Sequence, residues 1–184
     1  MKKFFHYILE VSKKFLLEIG EISYFTGRFF KEILIPPYEF QELLKQCYSI
    51  GYRSLFLVSI TGFIIGLVFT LQSRPTLEEF GAASWMPSMV SVSIVREIGP
   101  IITALICAGK IGSGIGAEIG SMRVTEQIDA MEVSGTNPYK YLVITRILAT
   151  TLMLPLLVIV GDFLAIYGSF LVENIKDNVS FQLY

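Results

Sequence analysis

The chain has 184 residues, 53% of them hydrophobic and 17% charged, with a net charge of −1 and a mean hydropathy of +0.60. Soluble domains carry about 45–50% apolar and about 25% charged residues, so the composition excludes an ordinary water-soluble domain, and the near-zero charge gives nucleic-acid binding no support. Cys47 and Cys107 are too few for a disulfide framework, and His6 is the only histidine, which removes the usual metal-ligand clusters.

The composition and the apolar runs predict an all-α, polytopic membrane protein. Residues 2–35 read as an amphipathic helix: Phe4, Ile8, Val11, Phe15, Ile19, Ile22, Phe29 and Ile33 recur at helical spacing, with a break at Thr26. Lys3, Glu10, Lys14, Glu21, Arg28 and Glu32 fall on the other side. A soluble-core helix shows the same stripe. Aromatics on the apolar side and cations near the start favour a helix lying in the membrane interface. Pro36 and Pro37 end it.

A second helix, 38–72, holds the first span. Residues 54–71 carry no charge; at about 1.5 Å per residue they reach roughly 27 Å, close to the hydrocarbon thickness. Gly62 and Gly66 form a GxxxG pair that lets another helix backbone come close.

The second span covers 87–116, with Trp85 at one end and Pro87 in the first turn. It runs past Arg96, Glu97 and Pro100. On a regular helix Ser93, Arg96, Glu97 and Pro100 share one polar face. A charge near bilayer depth costs at least about 2.5–3.5 kcal/mol, so such a face is expected to meet a bundle interior or a wet cavity.

Glycine-rich sequence follows. Gly109-Lys110 lacks both ends of a Walker A motif, and Gly112-Ser-Gly114-Ile-Gly116-Ala117 fits a dinucleotide fingerprint only formally, with no βαβ unit around it. The chain therefore shows no nucleotide site of its own. Gly112, Gly116 and Gly120 instead make a smooth ridge for a close neighbour.

Residues 118–137 read as a loop with a short helix. Thr125 is expected to cap it, Glu126 to sit in its first turn, and Gly135 and Pro138 to stop it. Ile128 and Met131, with Val124 beside them, give a small apolar face among Glu126, Asp129 and Glu132. This element is either a solvated loop helix or one that inserts into the groove of a soluble partner. The third span, 141–172, contains Pro155 and Asp162. Asp162 is either a structural partner for a cation or helix end, or a transport residue.

Cations number eight before the first span, one after it, four between the second and third, and one in the tail. By the positive-inside rule this alternation places the N-terminus and residues 110–146 in the cytoplasm.

The run from Arg96 to Ala149, REIGPIITALICAGKIGSGIGAEIGSMRVTEQIDAMEVSGTNPYKYLVITRILA, closely resembles the MlaE/YrbE permease family. GFIIGLVFTLQ in the first span and PLLVIVGDFLAIYGS in the third extend the resemblance over essentially the whole chain. It implies a single permease domain, 1–184, of a homodimeric, multi-pass protein in a bacterial inner membrane. The implied role is to move phospholipid or similar amphiphiles to or from a periplasmic Mce-domain protein. The permease itself is no enzyme and carries no cofactor. A separate cytoplasmic ATPase binds the ATP, with a small STAS-type subunit as a further implied partner. Family members have five spanning helices, so the resemblance implies sequence beyond Tyr184.

It also implies site residues. The segment from Glu118 to Gly135 matches the coupling helix that docks on the ATPase, with Glu118, Glu126, Asp129 and Glu132 pairing cations there and Ile128 and Met131 filling a groove. Arg96 and Glu97 match a pair near the lipid site. Two readings stand for that pair: an internal salt bridge that fixes helix contacts, or a guanidinium that meets a lipid phosphate while Glu97 orients it. A membrane scaffold that uses the loop only to recruit a partner is the competing function.

Overall fold

The computed structural model describes the backbone of residues 2–36 and 38–177, with the side chains of residues 10, 12–36 and 38–175. Six helices follow in order: α1 (Lys2–Glu32), α2 (Phe40–Glu79), α3 (Met86–Ser93), α4 (Gly99–Val124), α5 (Gln127–Val133) and α6 (Thr145–Asp177). Wide π turns at Ile94–Ile98 and Tyr139–Ile144 join α3 to α4 and lead into α6. The described residues contain no strand. The fold is all-α.

Three stretches, Phe40–Glu79, Ala83–Val124 and Tyr139–Ile175, are long and apolar enough to cross a membrane. Less than a third of each apolar window is buried within the chain. So much outward apolar surface suits lipid, where a helix satisfies its own backbone and needs no water.

The contacts give the topology directly. Glu42 meets Tyr141, Gly62 meets Gly161, Gly66 meets Ala165, Thr70 meets Ser169 and Arg74 meets Glu173. Each pair differs by 99 in number, so α2 and α6 run parallel and in register. From Glu42 to Arg74 this ladder extends about 48 Å at about 1.5 Å per residue. Gly99 with Asp162, Thr103 with Gly161, and Glu118 with Arg146 keep a nearly constant sum instead. Between the two parallel spans, α4 therefore runs back antiparallel.

The first-span glycines make the closest approach. A Cβ on Gly62 would stand 2.5 Å from the Gly161 carbonyl oxygen, and one on Gly66 would stand 1.8 Å from that of Ala165. Only hydrogen fits there. Around this seam Cys47, Ile50, Val58, Cys107, Ile111, Ala149 and Leu157 form one buried cluster, and Met86, Val90, Ile94 and Ala165 form another.

Several boundaries differ from those expected. The second span continues well beyond residue 116, because α4 keeps its helix through the glycines to Val124. The third begins at Tyr139, where the Tyr139 N–H donates to Asn137 Oδ1 at 3.0 Å. Pro138 opens this helix rather than stopping the one before, a role that its fixed φ suits. Arg74, counted as a loop cation, lies inside α2, buried, with its Nε donating to Glu78 and its Nη1 to Glu173.

The end of α1 is held by the start of the third span. Tyr139 donates its hydroxyl to the Phe25 carbonyl at 2.8 Å, and its ring meets Phe25 edge-on and lies under Arg28. Asn137 reaches Glu32 at 3.2 Å. The α1 residues Phe15, Leu16, Ile19 and Ile22 remain exposed. The sequence-expected stripe residues Phe4, Ile8 and Val11 lie outside the described side chains.

Candidate functional site

Pro100 accounts for the wide turn before α4. It lacks the N–H that would bond the Arg96 carbonyl, and its ring would crowd that carbonyl in a regular helix. The Gly99 N–H instead reaches the Ile94 carbonyl, five residues back. Such π turns concentrate at functional positions. Arg96 and Glu97 lie inside this one. Both are exposed, and neither takes part in a salt bridge among the described residues. The internal ion pair is thus not formed among the described residues. The single polar face drawn through Ser93, Arg96, Glu97 and Pro100 is also corrected: it assumed regular helical spacing, which the wide turn breaks.

Behind the turn stands Asp162 of α6. Its side chain is buried, and Oδ1 has no hydrogen-bond partner among the described residues. A Cβ on Gly99 would stand 1.6 Å from that oxygen. Among the described residues no cation pairs with it, and the element it rests against is the start of α4 at Gly99. By the same 99-residue offset Asp162 stands level with Phe63 of α2, near the middle of the charge-free run 54–71.

The other end of the bundle carries the loop. Glu118 is fixed within the fold: its Oε1 accepts from Arg146 Nη2 at 2.9 Å. Arg146 is 3% exposed, gives Nη1 to the Leu142 carbonyl at 3.0 Å, and keeps a buried Nε without a partner among the described residues. Sequence reasoning missed Arg146 by counting it as a loop cation. The available signal was its place inside the apolar run YLVITRILA, where it has no water to face.

The short helix starts one residue later than expected. Glu126 takes a left-handed φ of 57°, while the Thr125 hydroxyl bonds back to the Ser121 carbonyl at 2.8 Å and so closes α4. Gly135, at φ 81°, ends α5 with its N–H on the Glu132 carbonyl, and the Thr136 N–H reaches Met131. Glu126, Asp129 and Glu132 are exposed, and Asp129 pairs with Arg123 at 2.7 Å. Ile128 and Met131 are half-buried. The apolar side chains that project are Val124 and Val133, 84% and 90% exposed. The ridge of Gly112, Gly116 and Gly120 has no neighbouring atom within 4 Å of a would-be Cβ. Its expected neighbour is not supplied by the described residues.

With three apolar helices, a charged wide turn and a protruding loop in place, the comparison with known proteins is decisive. Residues 43–184 match the family model described as Permease MlaE. The chain belongs to the MlaE permease family. It is 39% identical over 163 residues to a probable ABC transporter permease protein of Rickettsia felis, covering 89% of this chain and 63% of the relative. A probable ABC transporter permease protein of Synechocystis is 36% identical over 151 residues, 82% of this chain and 57% of the relative. The intermembrane phospholipid transport system permease protein MlaE of Haemophilus influenzae is 36% identical over 133 residues, 72% of this chain and 51% of that protein. The chain thus spans between 51% and 67% of the length of the relatives it matches. As an MlaE-family permease with three apolar helices, it is a multi-pass membrane protein.

Proposed function

We propose that this chain is the permease subunit of an ABC transporter that moves phospholipids or similar amphiphiles between a bacterial inner membrane and a periplasmic Mce protein. The observation that carries this reading is the Arg96–Glu97 pair, exposed and without a salt-bridge partner among the described residues, on a wide turn inside an apolar span. A guanidinium matches a phosphodiester through paired hydrogen bonds. Holding it at that depth is costly unless a polar ligand or a wet cavity meets it. The phospholipid named for the Haemophilus relative supports the same substrate class.

Energy comes from a separate cytoplasmic ATPase that docks on α5. Exposed Asp129, Glu126 and Glu132 supply charge for cations there, and Val124 and Val133 supply apolar contact. Glu118 acts from inside the fold, linking the end of α4 to Arg146. The N-terminus and the α5 loop face the cytoplasm, as the cation distribution favours. α1 lies in the interface, its exposed Phe15, Leu16, Ile19 and Ile22 in lipid. Two copies form the permease, with a STAS-type subunit as a further partner.

The test is co-purification of the whole complex. Wild-type permease is expected to retain its ATPase, whose activity rises with added phospholipid. Asp129→Arg is expected to release the ATPase while the permease remains folded in the membrane. Undisturbed co-purification of that variant would remove α5 as the docking element. Activity indifferent to phospholipid would contradict the transport reading.

A further inference from the structure

Two opposite charges inside the spans flank one glycine. Asp162 Oδ1, buried and without a hydrogen-bond partner among the described residues, rests against Gly99. Arg96 lies three positions before Gly99, exposed and outside every salt bridge among the described residues. On a regular α-helix positions i and i+3 share a face. A regular turn at 94–98 would therefore carry the Arg96 side chain toward the side of the helix that Gly99 presents to Asp162. The wide turn breaks that spacing, and Arg96 is exposed in it.

We propose that Asp162 is a positioning residue for lipid release: it is the counter-charge that Arg96 takes when it lets go of a phospholipid phosphodiester. The turn Ile94–Ile98 is then a two-position element. In the wide position Arg96 faces outward, free for phosphate, and the Asp162 oxygen is left without a partner. In the regular position the guanidinium meets the carboxylate and the phosphate has lost its ligand. This inference rests on the reading of Arg96 as the phosphate-binding group.

The opposing forces are visible in the chain. Pro100 disfavours the regular turn, because its ring crowds the Arg96 carbonyl. A buried carboxyl oxygen without a partner disfavours the wide one. Bound phosphate restores the balance toward the wide turn, and ligand-biased pairs of states of this kind are how a small local change becomes a transport step. Gly99 is required, since any side chain would take the space of the carboxylate. Among the described residues lining the cleft at Gly99 there is no other cation. The small cleft beside Gly99 and Gly161 is lined by apolar side chains such as Val58, Ile65, Ile98 and Ile102, with the hydroxyls of Thr61 and Thr103.

A double-mutant cycle in the complete complex tests this. The complex, with its ATPase, is purified from membranes and loaded from phosphatidylethanolamine–phosphatidylglycerol vesicles. Phospholipid retained per complex is then measured by mass spectrometry before and after ATP. Asp162→Asn, which keeps the side-chain shape, is expected to raise the lipid retained after ATP severalfold and to slow its release. Asp162→Ser is expected to do the same, which guards against a fault of one variant. Arg96→Ala is expected to lose most bound phospholipid, and Arg96→Ala with Asp162→Asn is expected to match Arg96→Ala alone. A merely structural Asp162 would not give that non-additivity. Unchanged or lowered retention in both Asp162 variants overturns the proposal. So does an Asp162→Asn effect that persists in full without Arg96. If Arg96→Ala alone leaves bound phospholipid unchanged, the phosphate-binding reading itself is what has failed.

Discussion

Gly66 of α2 and Ala165 of α6 touch backbone to backbone: a Cβ on the glycine would stand 1.8 Å from the alanine's carbonyl oxygen. One turn earlier, Gly62 meets Gly161 in the same way. Backbone atoms cannot swing aside as a long side chain can. Gly66→Ala is therefore expected to part the two parallel helices and to cost about 1–3 kcal/mol, the range for overfilled cores. Thermal unfolding in detergent reads the loss. Gly20→Ala, at a position in α1 with nothing within 4 Å, is expected to leave it unchanged.

Arg74 and Glu173 close the far end of the same ladder at 3.2 Å, both nearly buried. Removing one member leaves a charge in a dry site, so Arg74→Ala is expected to cost about 3–5 kcal/mol. Exchanging both for apolar residues of similar size, Arg74→Met with Glu173→Leu, is expected to recover most of that. Unfolding of the single and double variants, compared pairwise, checks the sign. A double variant as unstable as the single one would show that the pair does more than satisfy its own charges.

Much of this architecture was legible in the sequence, and the reason is periodicity. Runs such as residues 54–71 admit few readings other than a spanning helix, and Gly62 and Gly66 announced a close neighbour. Which neighbour was not legible, because i, i+4 glycines say nothing about a partner 99 residues on. The α4 glycines carry the same pattern, and among the described residues no atom lies within 4 Å of a Cβ built on Gly112 or Gly116. The wide turn was missed because helical spacing was assumed across Pro100. Asp162 was singled out as an oddity, but its seat against Gly99 needed three dimensions. Arg146 and Arg74 were hidden by treating cations near span ends as loop charges, when each has a carboxylate waiting on another helix.

Glu118 and Asp129 lie eleven positions apart on the loop side, one bonded to buried Arg146 and the other to exposed Arg123, and under the proposed function their variants are expected to separate. Glu118→Ala takes a charge-assisted hydrogen bond from buried Arg146 at 2.9 Å, worth about 1.5–3 kcal/mol and less here because the glutamate is half exposed. The ATPase is expected to stay bound while its stimulation by phospholipid falls. Asp129→Arg is expected to lose the ATPase itself. Co-purification and activity measured on the same preparations distinguish the two outcomes.

The most direct measurement follows labelled phospholipid in vesicles that hold the complete transporter, with its ATPase inside reach of added ATP and its Mce protein on the other side. ATP is expected to drive labelled phospholipid between the vesicle membrane and the Mce protein. Arg96→Ala is expected to abolish that movement while the complex stays assembled. Transport that continues at the wild-type rate in an assembled Arg96→Ala complex would contradict the account.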